Sequence, residues 1–342
     1  MNMYKWIERV IYLDEKKALP LLSFPSVQML YVTVKELVMN SNYQALGMKM
    51  LADRYDMPAV PSFMDLSVEA EAFGSKTVYG ADEVPTIIGR IVEDEDDADA
   101  LSVPEVGAGR TGIYIDGVRK ALKLISDRPV FGGCTGPFSL AGRLMDINEI
   151  MMLCYEEPET VHKVLRKVTD FLIKYILAYK AVGAQGVIMA EPLAGILSPG
   201  LCEEFSTAYV KEIVEKTQDQ NFVIVYHNCG TYALQLIDTI LDTGCRIFHF
   251  GDSVDMGEML KHIPSDCLAM GNISPSKQFL NGTVQSVRIE TIRLLQKCST
   301  YRNFMISSGC DIPPLTEFDN IDAFFETTAS YYYRQRLMDQ IA

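Results

Sequence analysis

The sequence predicts an α/β fold, a single (β/α)8 (TIM) barrel over residues 1–342 with an N-terminal helical extension over residues 1–23. Short apolar runs alternate with helical patterns from about Pro129 onward, and this alternation implies parallel strands joined by helical crossovers. The apolar runs are continuous rather than alternating, as expected for strands that are buried on both faces. A chain of 342 residues suits one barrel of this kind. An open, doubly wound sheet is the alternative.

The individual elements follow from apolar runs and from helix start and stop signals. The first part of the chain contains three candidate strands, near 24–30, at 59–65 and at 112–116. Six further strand segments are predicted at 128–134, 184–192, 221–229, 245–251, 267–273 and 303–310. Helical patterns separate or follow them at 158–183, 198–220, 231–244, 252–264, 283–299 and 318–338. The number of strands therefore approaches that of the barrel.

Composition and charge disfavour several classes of function. The formal net charge of −14 disfavours non-specific binding to nucleic acid or to an anionic membrane. The longest apolar stretch, 171–190, contains Lys174, Lys180 and Gln185 and does not predict a membrane span. The first residues lack the basic-then-apolar layout of a secretory signal, so we expect the eight cysteines to be reduced in a cytoplasmic protein. The sequence leaves open whether the protein forms a homo-oligomer.

Two conspicuous segments have ordinary structural interpretations. The acidic run at 92–101 (VEDEDDADAL) is interpreted as a solvated loop that leads into a short helix, because acidic residues are favoured in a first helical turn. The segment at 107–112 (GAGRTG) lacks the spacing of a phosphate-binding glycine loop and is interpreted as a flexible turn. Within it, Arg110 is a candidate to meet an anionic group.

A histidine and a cysteine two positions apart end one of the predicted strands. Residues i and i+2 of a strand point to the same side, so His227 and Cys229 in VYHNCGTY share a face at a carboxyl end, where barrels carry their chemistry. Cys310 follows the last predicted strand in ISSGCDIPP and is the candidate third ligand. Two cysteines and one histidine with a fourth position open are typical of a catalytic zinc site. The alternative is that these residues are simply buried, as cysteines often are.

Four segments together resemble a known superfamily: YHNCG, SSGCDIPP, GPFSLAGRL at 136–144 and AEPLAGILSPGLCEEF at 190–205. From about residue 24 to its last helix, the chain is similar to the uroporphyrinogen decarboxylase superfamily. Its H-x-C…C set is similar to that of the methylcobamide:coenzyme M methyltransferase branch. The resemblance implies a (β/α)8 barrel in which His227, Cys229 and Cys310 bind Zn²⁺. It also implies an activity, the transfer of a methyl group from methylcobalamin on a partner corrinoid protein to a small thiol such as coenzyme M.

The resemblance also suggests residues around the zinc. Asp65 is similar to an early barrel-strand aspartate of the superfamily and is a candidate substrate contact, with a loop cap as the alternative. Glu191 and Asp252 end the strands that precede and follow the strand of His227, and they are rival candidates for a fourth zinc ligand or for positioning the thiol. His249 is expected to be packed within its strand. The candidates to line the cleft and bind the cofactor are Phe138, Ser139, Asn228 and Asn272.

Departures from the superfamily pattern leave other functions open. A decarboxylase of this superfamily carries an N-terminal arginine-rich motif that neutralises the carboxylates of its tetrapyrrole, whereas the matching segment here, LLSFPSVQMLYVT, has no arginine. Holding many carboxylates without cations is costly, so a lyase of porphyrin biosynthesis is the alternative rather than the preferred function. A third hypothesis is a corrinoid-binding protein with a structural zinc. The candidate cations for the sulfonate of coenzyme M are Arg110, Arg143 and Lys277.

Overall fold

The computed structural model describes residues 1–341, and its elements are named in chain order. The strands are β1 Val60–Pro61, β2 Lys76–Val78, β3 Thr86–Ile88, β4 Val130–Thr135, β5 Gly186–Ala190, β6 Val223–Asn228, β7 Ile247–Phe250, β8 Leu268–Ile273 and β9 Phe304–Ser308. The helices are α1 Met3–Tyr12, α2 Ser26–Leu30, α3 Val34–Val38, α4 Ser41–Arg54, α5 Val68–Ala72, α6 Glu95–Ala100, α7 Thr111–Leu124, α8 Pro137–Met145, α9 Ile147–Glu156, α10 Pro158–Ala181, α11 Pro199–Cys202, α12 Ala208–Thr217, α13 Ile237–Leu241, α14 Met256–Met259, α15 Val284–Cys298 and α16 Phe318–Ile341. Short 3₁₀ or π-helical segments lie at Leu193–Ile196, Glu203–Thr207 and Pro275–Leu280.

Seven parallel strands form a curled sheet at the centre of the molecule. Their order is β1-β4-β5-β6-β7-β8-β9, so each strand from β4 onward pairs with its successor in the chain. Strands β4, β5, β6, β7 and β9 are buried at every residue, which explains why they read as continuous apolar runs. The sheet confirms the predicted α/β fold of TIM-barrel type, with seven regular strands in it rather than eight.

An extended segment, rather than a regular strand, lies alongside β9. The Leu19 N–H donates to the Ile306 carbonyl at 3.0 Å, and the Leu21 carbonyl accepts from the Ile312 N–H at 2.9 Å. Residues 18–22 are all buried. Phe24 then meets Phe63, just after β1, edge to face with ring centroids 5.3 Å apart. The N-terminal region thus begins with helix α1 and continues the wall of the barrel from β9 toward β1.

Two of the three early strand predictions are wrong. The segment at 24–30 contains helix α2, and 112–116 lies inside helix α7. Short apolar runs do not by themselves distinguish a strand from a buried helical face, and the buried Tyr114, Val118 and Ala121 of α7 follow helical spacing. The segment at 59–65 does contain β1, and each of the six later predicted segments contains a strand.

The long connection from β1 to β4 contains structure that the sequence only partly indicates. It includes the antiparallel hairpin of β2 and β3, which was not predicted. The acidic run forms helix α6 as expected, and the Asp94 side chain caps it by accepting from the Asp97 N–H at 2.9 Å. The turn at 107–112 is not a flexible one at Arg110, because this residue directly precedes α7 and is only 2% exposed.

Within residues 1–341, no helix combines the length and the apolar character needed to cross a bilayer.

Candidate metal centre

Three potential metal ligands meet at the carboxyl ends of β6 and β9. His227 lies in the last part of β6, Cys229 follows that strand directly, and Cys310 follows β9 after Gly309. Their ligand atoms all lie within 4.8 Å of one another, and His227 Nε2 is 3.5 Å from Cys310 Sγ. His227 is buried, whereas both cysteines are partly exposed. The structure therefore brings together the three residues that the sequence indicates, with access from the mouth of the barrel.

The donor set fits a zinc ion. One imidazole nitrogen and two sulfurs are ligands that Zn²⁺ prefers, and a site with three protein ligands leaves a position for an exogenous one. Within residues 1–341, no fourth His, Cys, Asp or Glu belongs to this compact group. The hydrogen bond from Cys310 lowers the pKa of the Cys229 thiol, while the same bond and burial raise the pKa of Cys310 to about 12. Metal binding requires both sulfurs as thiolates and would therefore release their protons.

His249 stands directly behind His227. The two residues are partners in the register of β6 and β7, and their Nδ1 atoms lie 2.7 Å apart. On its other side, His249 Nε2 lies 2.9 Å from Ser307 Oγ in β9. His249 is fully buried, and burial, followed by the neighbouring His227, holds its pKa well below the ordinary value. The residue is packed, as expected, but both of its ring nitrogens also have polar partners.

The two carboxylates considered as a fourth ligand lie in different settings. Glu191 is fully buried, and its Oε1 accepts from the Ser139 N–H at 2.7 Å and the Ser139 hydroxyl at 2.8 Å. Its Oε2 has no hydrogen-bond partner, and burial raises its pKa to about 7. Asp252 is exposed after β7 and packs beside Gly309, next to Cys310. Neither carboxylate belongs to the three-ligand group.

Asp65 is engaged by protein groups on all sides. Its carboxylate is ion-paired with Arg110 and accepts from the Tyr114 hydroxyl at 2.7 Å. It also accepts from the hydroxyl of Ser67 at 2.6 Å and from the Ser67 N–H at 3.1 Å. The bonds to Ser67 are those of a loop cap, which was the alternative to a substrate contact. Arg110 does meet anionic groups, namely the carboxylates of Asp65 and Glu71.

The four residues expected to line the cleft mainly hold the strand-end loops in place. Phe138 is fully buried in α8, and Ser139 binds Glu191 as described. The Asn228 amide donates to the Glu191 carbonyl at 3.2 Å and its oxygen accepts from the Gly230 N–H at 2.9 Å. The Asn272 amide donates to the carbonyls of Gly251 and Val254 at 2.9 and 2.8 Å. Both asparagines therefore fix loops that surround the three potential ligands.

Comparison with known proteins places the chain in a family. The sequence model of the uroporphyrinogen decarboxylase (URO-D) family matches residues 25–331. The chain belongs to this family. Among curated URO-D relatives, the uroporphyrinogen decarboxylase of Hydrogenovibrio crunogenus is 25% identical over 286 residues, which cover 80% of this chain and 79% of the relative. That of Pseudomonas syringae pv. syringae is 26% identical over 296 residues, or 82% of each chain.

Solved structures resemble this URO-D protein in fold. A methyltransferase from Methanosarcina mazei superposes with a TM-score of 0.86 at 19% identity and covers 97% of this chain and 99% of its own. A B12-independent methionine synthase from Shewanella sp. W3-18-1, solved with selenomethionine, gives a TM-score of 0.61 at 13% identity, with 90% and 96% coverage. These likenesses confirm the barrel-type fold of the URO-D family.

Two buried ionisable groups near the site were missed by sequence reasoning. The carboxylate of Glu69 accepts from the N–H and the hydroxyl of Thr135, both at 3.0 Å, and burial raises its pKa to about 7. The Asp311 carboxylate is buried without a well-formed hydrogen bond, although the Met64 and Ile312 N–H groups point toward it. Burial raises the pKa of Asp311 well above its ordinary value. His249 was expected to be packed, and only its polar partners, His227 and Ser307, were not anticipated.

Arg143 is a cation on which Glu69 and Glu191 act electrostatically. It extends from α8, is half-buried, and donates one hydrogen bond to the Ser139 carbonyl at 2.8 Å. Burial lowers its pKa, and the nearby Glu69 and Glu191 oppose that effect. Arg143 forms no ion pair within residues 1–341. Most of its N–H groups are therefore left for a ligand or for solvent.

Proposed function

We propose that this URO-D family protein is a zinc-dependent methyltransferase that moves a methyl group from a methylated corrinoid, held by a partner protein, to a small thiol such as coenzyme M. The observation that carries the proposal is the convergence of His227, Cys229 and Cys310 at the mouth of the barrel. This ligand set suits zinc, and the partly exposed cysteines leave one side open to a small molecule.

Methyl transfer to a thiol mainly requires a reactive sulfur that is held in position. Zinc, when bound, would lower the pKa of an acceptor thiol and favour its thiolate. The thiolate sulfur then forms a bond to the methyl carbon, while the cobalt–carbon bond breaks and its electron pair stays on the corrinoid. The chain contributes the walls of the cleft and the rigid strand ends that hold His227, Cys229 and Cys310, and these ligands would fix where an acceptor thiol binds.

Arg143 supports an acceptor with an anionic end. Its guanidinium is half-buried with a single protein hydrogen bond, and Cys229 is among the groups that act on it electrostatically. A sulfonate or carboxylate a few bonds from the thiol would satisfy the remaining donors. Lys277 is exposed and Arg110 is already paired with Asp65 and Glu71, so Arg143 is the cation best placed for this role.

Decarboxylation of a tetrapyrrole is the second candidate, and the names of the curated relatives favour it. Against it stands the charge of the interior near the metal centre, where the buried carboxylates are Asp65, Glu69, Glu191 and Asp311. Arg110 is already paired with Asp65 and Glu71. Of the two arginines, only Arg143 is left for a substrate with many carboxylates, and burying such a substrate without matching cations is unfavourable.

The test combines metal analysis with two assays. We expect about one zinc per chain. We also expect methyl transfer from free methylcobalamin to thiols, which is measured by the change in corrinoid absorbance. Cys310→Ser should lose zinc and activity, whereas the control Cys298→Ser, a buried cysteine in α15, should keep both. Full zinc and activity in Cys310→Ser would refute the site. Zinc without transfer to any thiol, together with turnover of uroporphyrinogen, would replace the proposal by the decarboxylase.

A further inference from the structure

We propose that His249 is a positioning residue that, together with Ser307, selects the tautomer of His227 able to bind the metal. The inference rests on the metal site of the proposed function, but it concerns side chains that make no contact with the ion. Its basis is a line of three buried groups that crosses the barrel interior behind the ligands, namely His227, His249 and Ser307.

The backbone fixes the geometry of this line. His227 and His249 are paired in the register of β6 and β7 and therefore project to the same side. Their rings meet nearly edge to face, with centroids 4.6 Å apart and planes inclined at 63°. Ser307 reaches His249 from β9, with 2.9 Å between Oγ and Nε2. Since His249 and Ser307 are both 0% exposed, solvent does not compete for these contacts.

The position of the hydrogens follows from what a metal requires. His227 Nε2 faces Cys310 Sγ at 3.5 Å, so Nε2 is the atom that would bind an ion and must carry no hydrogen. The hydrogen of His227 then lies on Nδ1 and is donated to His249 Nδ1, which is 2.7 Å away. His249 therefore carries its own hydrogen on Nε2 and donates it to Ser307 Oγ.

The reverse order of hydrogens is incompatible with metal binding. If His249 donated from Nδ1, neutral His227 would keep its hydrogen on Nε2, where the ion must bind. Ser307 matters because its hydroxyl can accept the hydrogen on His249 Nε2, so that the first order leaves no buried donor without a partner. Partners behind a metal-binding histidine typically change metal affinity by about 10–100-fold.

Substitutions of His249 and Ser307 test the proposal through metal binding rather than turnover. Zinc affinity is measured by competition with a chelator, and Co²⁺ absorption spectra report the ligand geometry. His249→Phe should weaken zinc binding by about 10–100-fold, and His249→Asn, whose side-chain oxygen can accept from His227 Nδ1, should recover part of the loss. Ser307→Ala should weaken binding less than His249→Phe, and Ser307→Thr should match the wild type. The control is His162→Phe. His162 lies elsewhere in the fold, where it stacks on Phe205 between α10 and the segment after α11.

The wild-type protein supplies a measurement that needs no variant to fold. In the zinc-loaded state, ¹⁵N NMR should show His227 with hydrogen on Nδ1 and His249 with hydrogen on Nε2. The opposite tautomers, or wild-type zinc affinity and Co²⁺ spectra in His249→Phe, would overturn the role of His249 while the metal site stands. Absence of metal binding in the wild type would instead remove the site itself. Normal binding and tautomers without methyl transfer would refute the proposed function alone.

Discussion

Asp65 and Arg110 form an ion pair in which the two side chains are 0% and 2% exposed. The pair links the loop after β1 to the first residue before α7, and it is extended by the Tyr114 hydroxyl, which donates to Asp65 at 2.7 Å. Removing one partner of a buried ion pair leaves an uncompensated charge and destabilises far more than the pair itself stabilises. The contacts of Asp65 thus indicate a structural role, and a substrate could bind Asp65 only by displacing them.

Asp65→Asn should lower the free energy of unfolding by about 3–5 kcal/mol, because Arg110 would retain only Glu71 as an anionic partner. Urea denaturation measures the change, and zinc content per folded chain should stay at the wild-type value. Asp56→Asn is the matched control, since Asp56 pairs with Lys17 at a side-chain exposure of 72% and should change stability by less than about 1 kcal/mol. If Asp65→Asn kept its stability but lost methyl transfer, Asp65 would be a substrate contact after all.

The three potential ligands were predictable because they depend on strand direction alone. The period of two along a strand places His227 and Cys229 on one face, and a parallel sheet gathers all carboxyl ends at one edge. Cys310 therefore comes near His227 in the structure although 83 positions separate them. The six later strands were equally predictable, because burial on both faces makes their sequences continuously apolar.

The rest of the site depends on tertiary partners that no local pattern encodes. Nothing near Arg110 in the sequence indicates that it binds Asp65, which lies 45 positions away. The same holds for His249 and Ser307, 58 positions apart. The pairing of the extended segment at 18–22 with β9 was not predicted, because β9 lies at the other end of the chain and the hydrogen bonds between them leave no periodic signal in the sequence.

Gly251→Ala should disturb the metal centre without removing a ligand. A Cβ at Gly251 would lie 2.6 Å from both Cα and Cβ of Cys229, so the loop that carries this sulfur must shift. Overpacking of this kind costs about 1–3 kcal/mol, and we expect zinc affinity to fall by roughly 10–100-fold. Gly200→Ala is the control, because nothing lies within 4 Å of its added Cβ. Equal zinc affinity in both variants would mean that Cys229 is not held by this contact.

Arg143→Met should raise the KM for a thiol that carries a terminal sulfonate by roughly 10–100-fold. The reason is the loss of charge-assisted hydrogen bonds to the anionic end, so the KM for neutral 2-mercaptoethanol should stay unchanged. Arg143→Lys should lie between the wild type and Arg143→Met, because an ammonium keeps the charge but not the bidentate geometry. Arg166→Met, at a side chain 52% exposed on α10, is the control. An equal rise in KM for both thiols would show that Arg143 does not read the anionic end.

Glu69→Gln should change the pH dependence of stability. Burial raises the pKa of Glu69 to about 7 in the folded protein, whereas an unfolded glutamate titrates near ~4.3. Between these values the folded protein binds more protons than the unfolded chain, so the free energy of unfolding falls as pH rises. Above about pH 7 the penalty is constant, because both states are then ionised.

Glutamine stays neutral at every pH, so the free energy of unfolding of Glu69→Gln should not fall in this way as pH rises. Relative to the wild type, it should increase by up to about 3 kcal/mol between pH 5 and pH 8. Urea denaturation across that range measures the difference. Glu191 has a pKa raised to about 7 by the same burial, so the variant should keep the part of the decline that Glu191 causes. Glu215→Gln, at an exposed position in α12, should give a curve parallel to the wild type. A parallel curve for Glu69→Gln as well would show that Glu69 titrates as an ordinary carboxyl despite its burial.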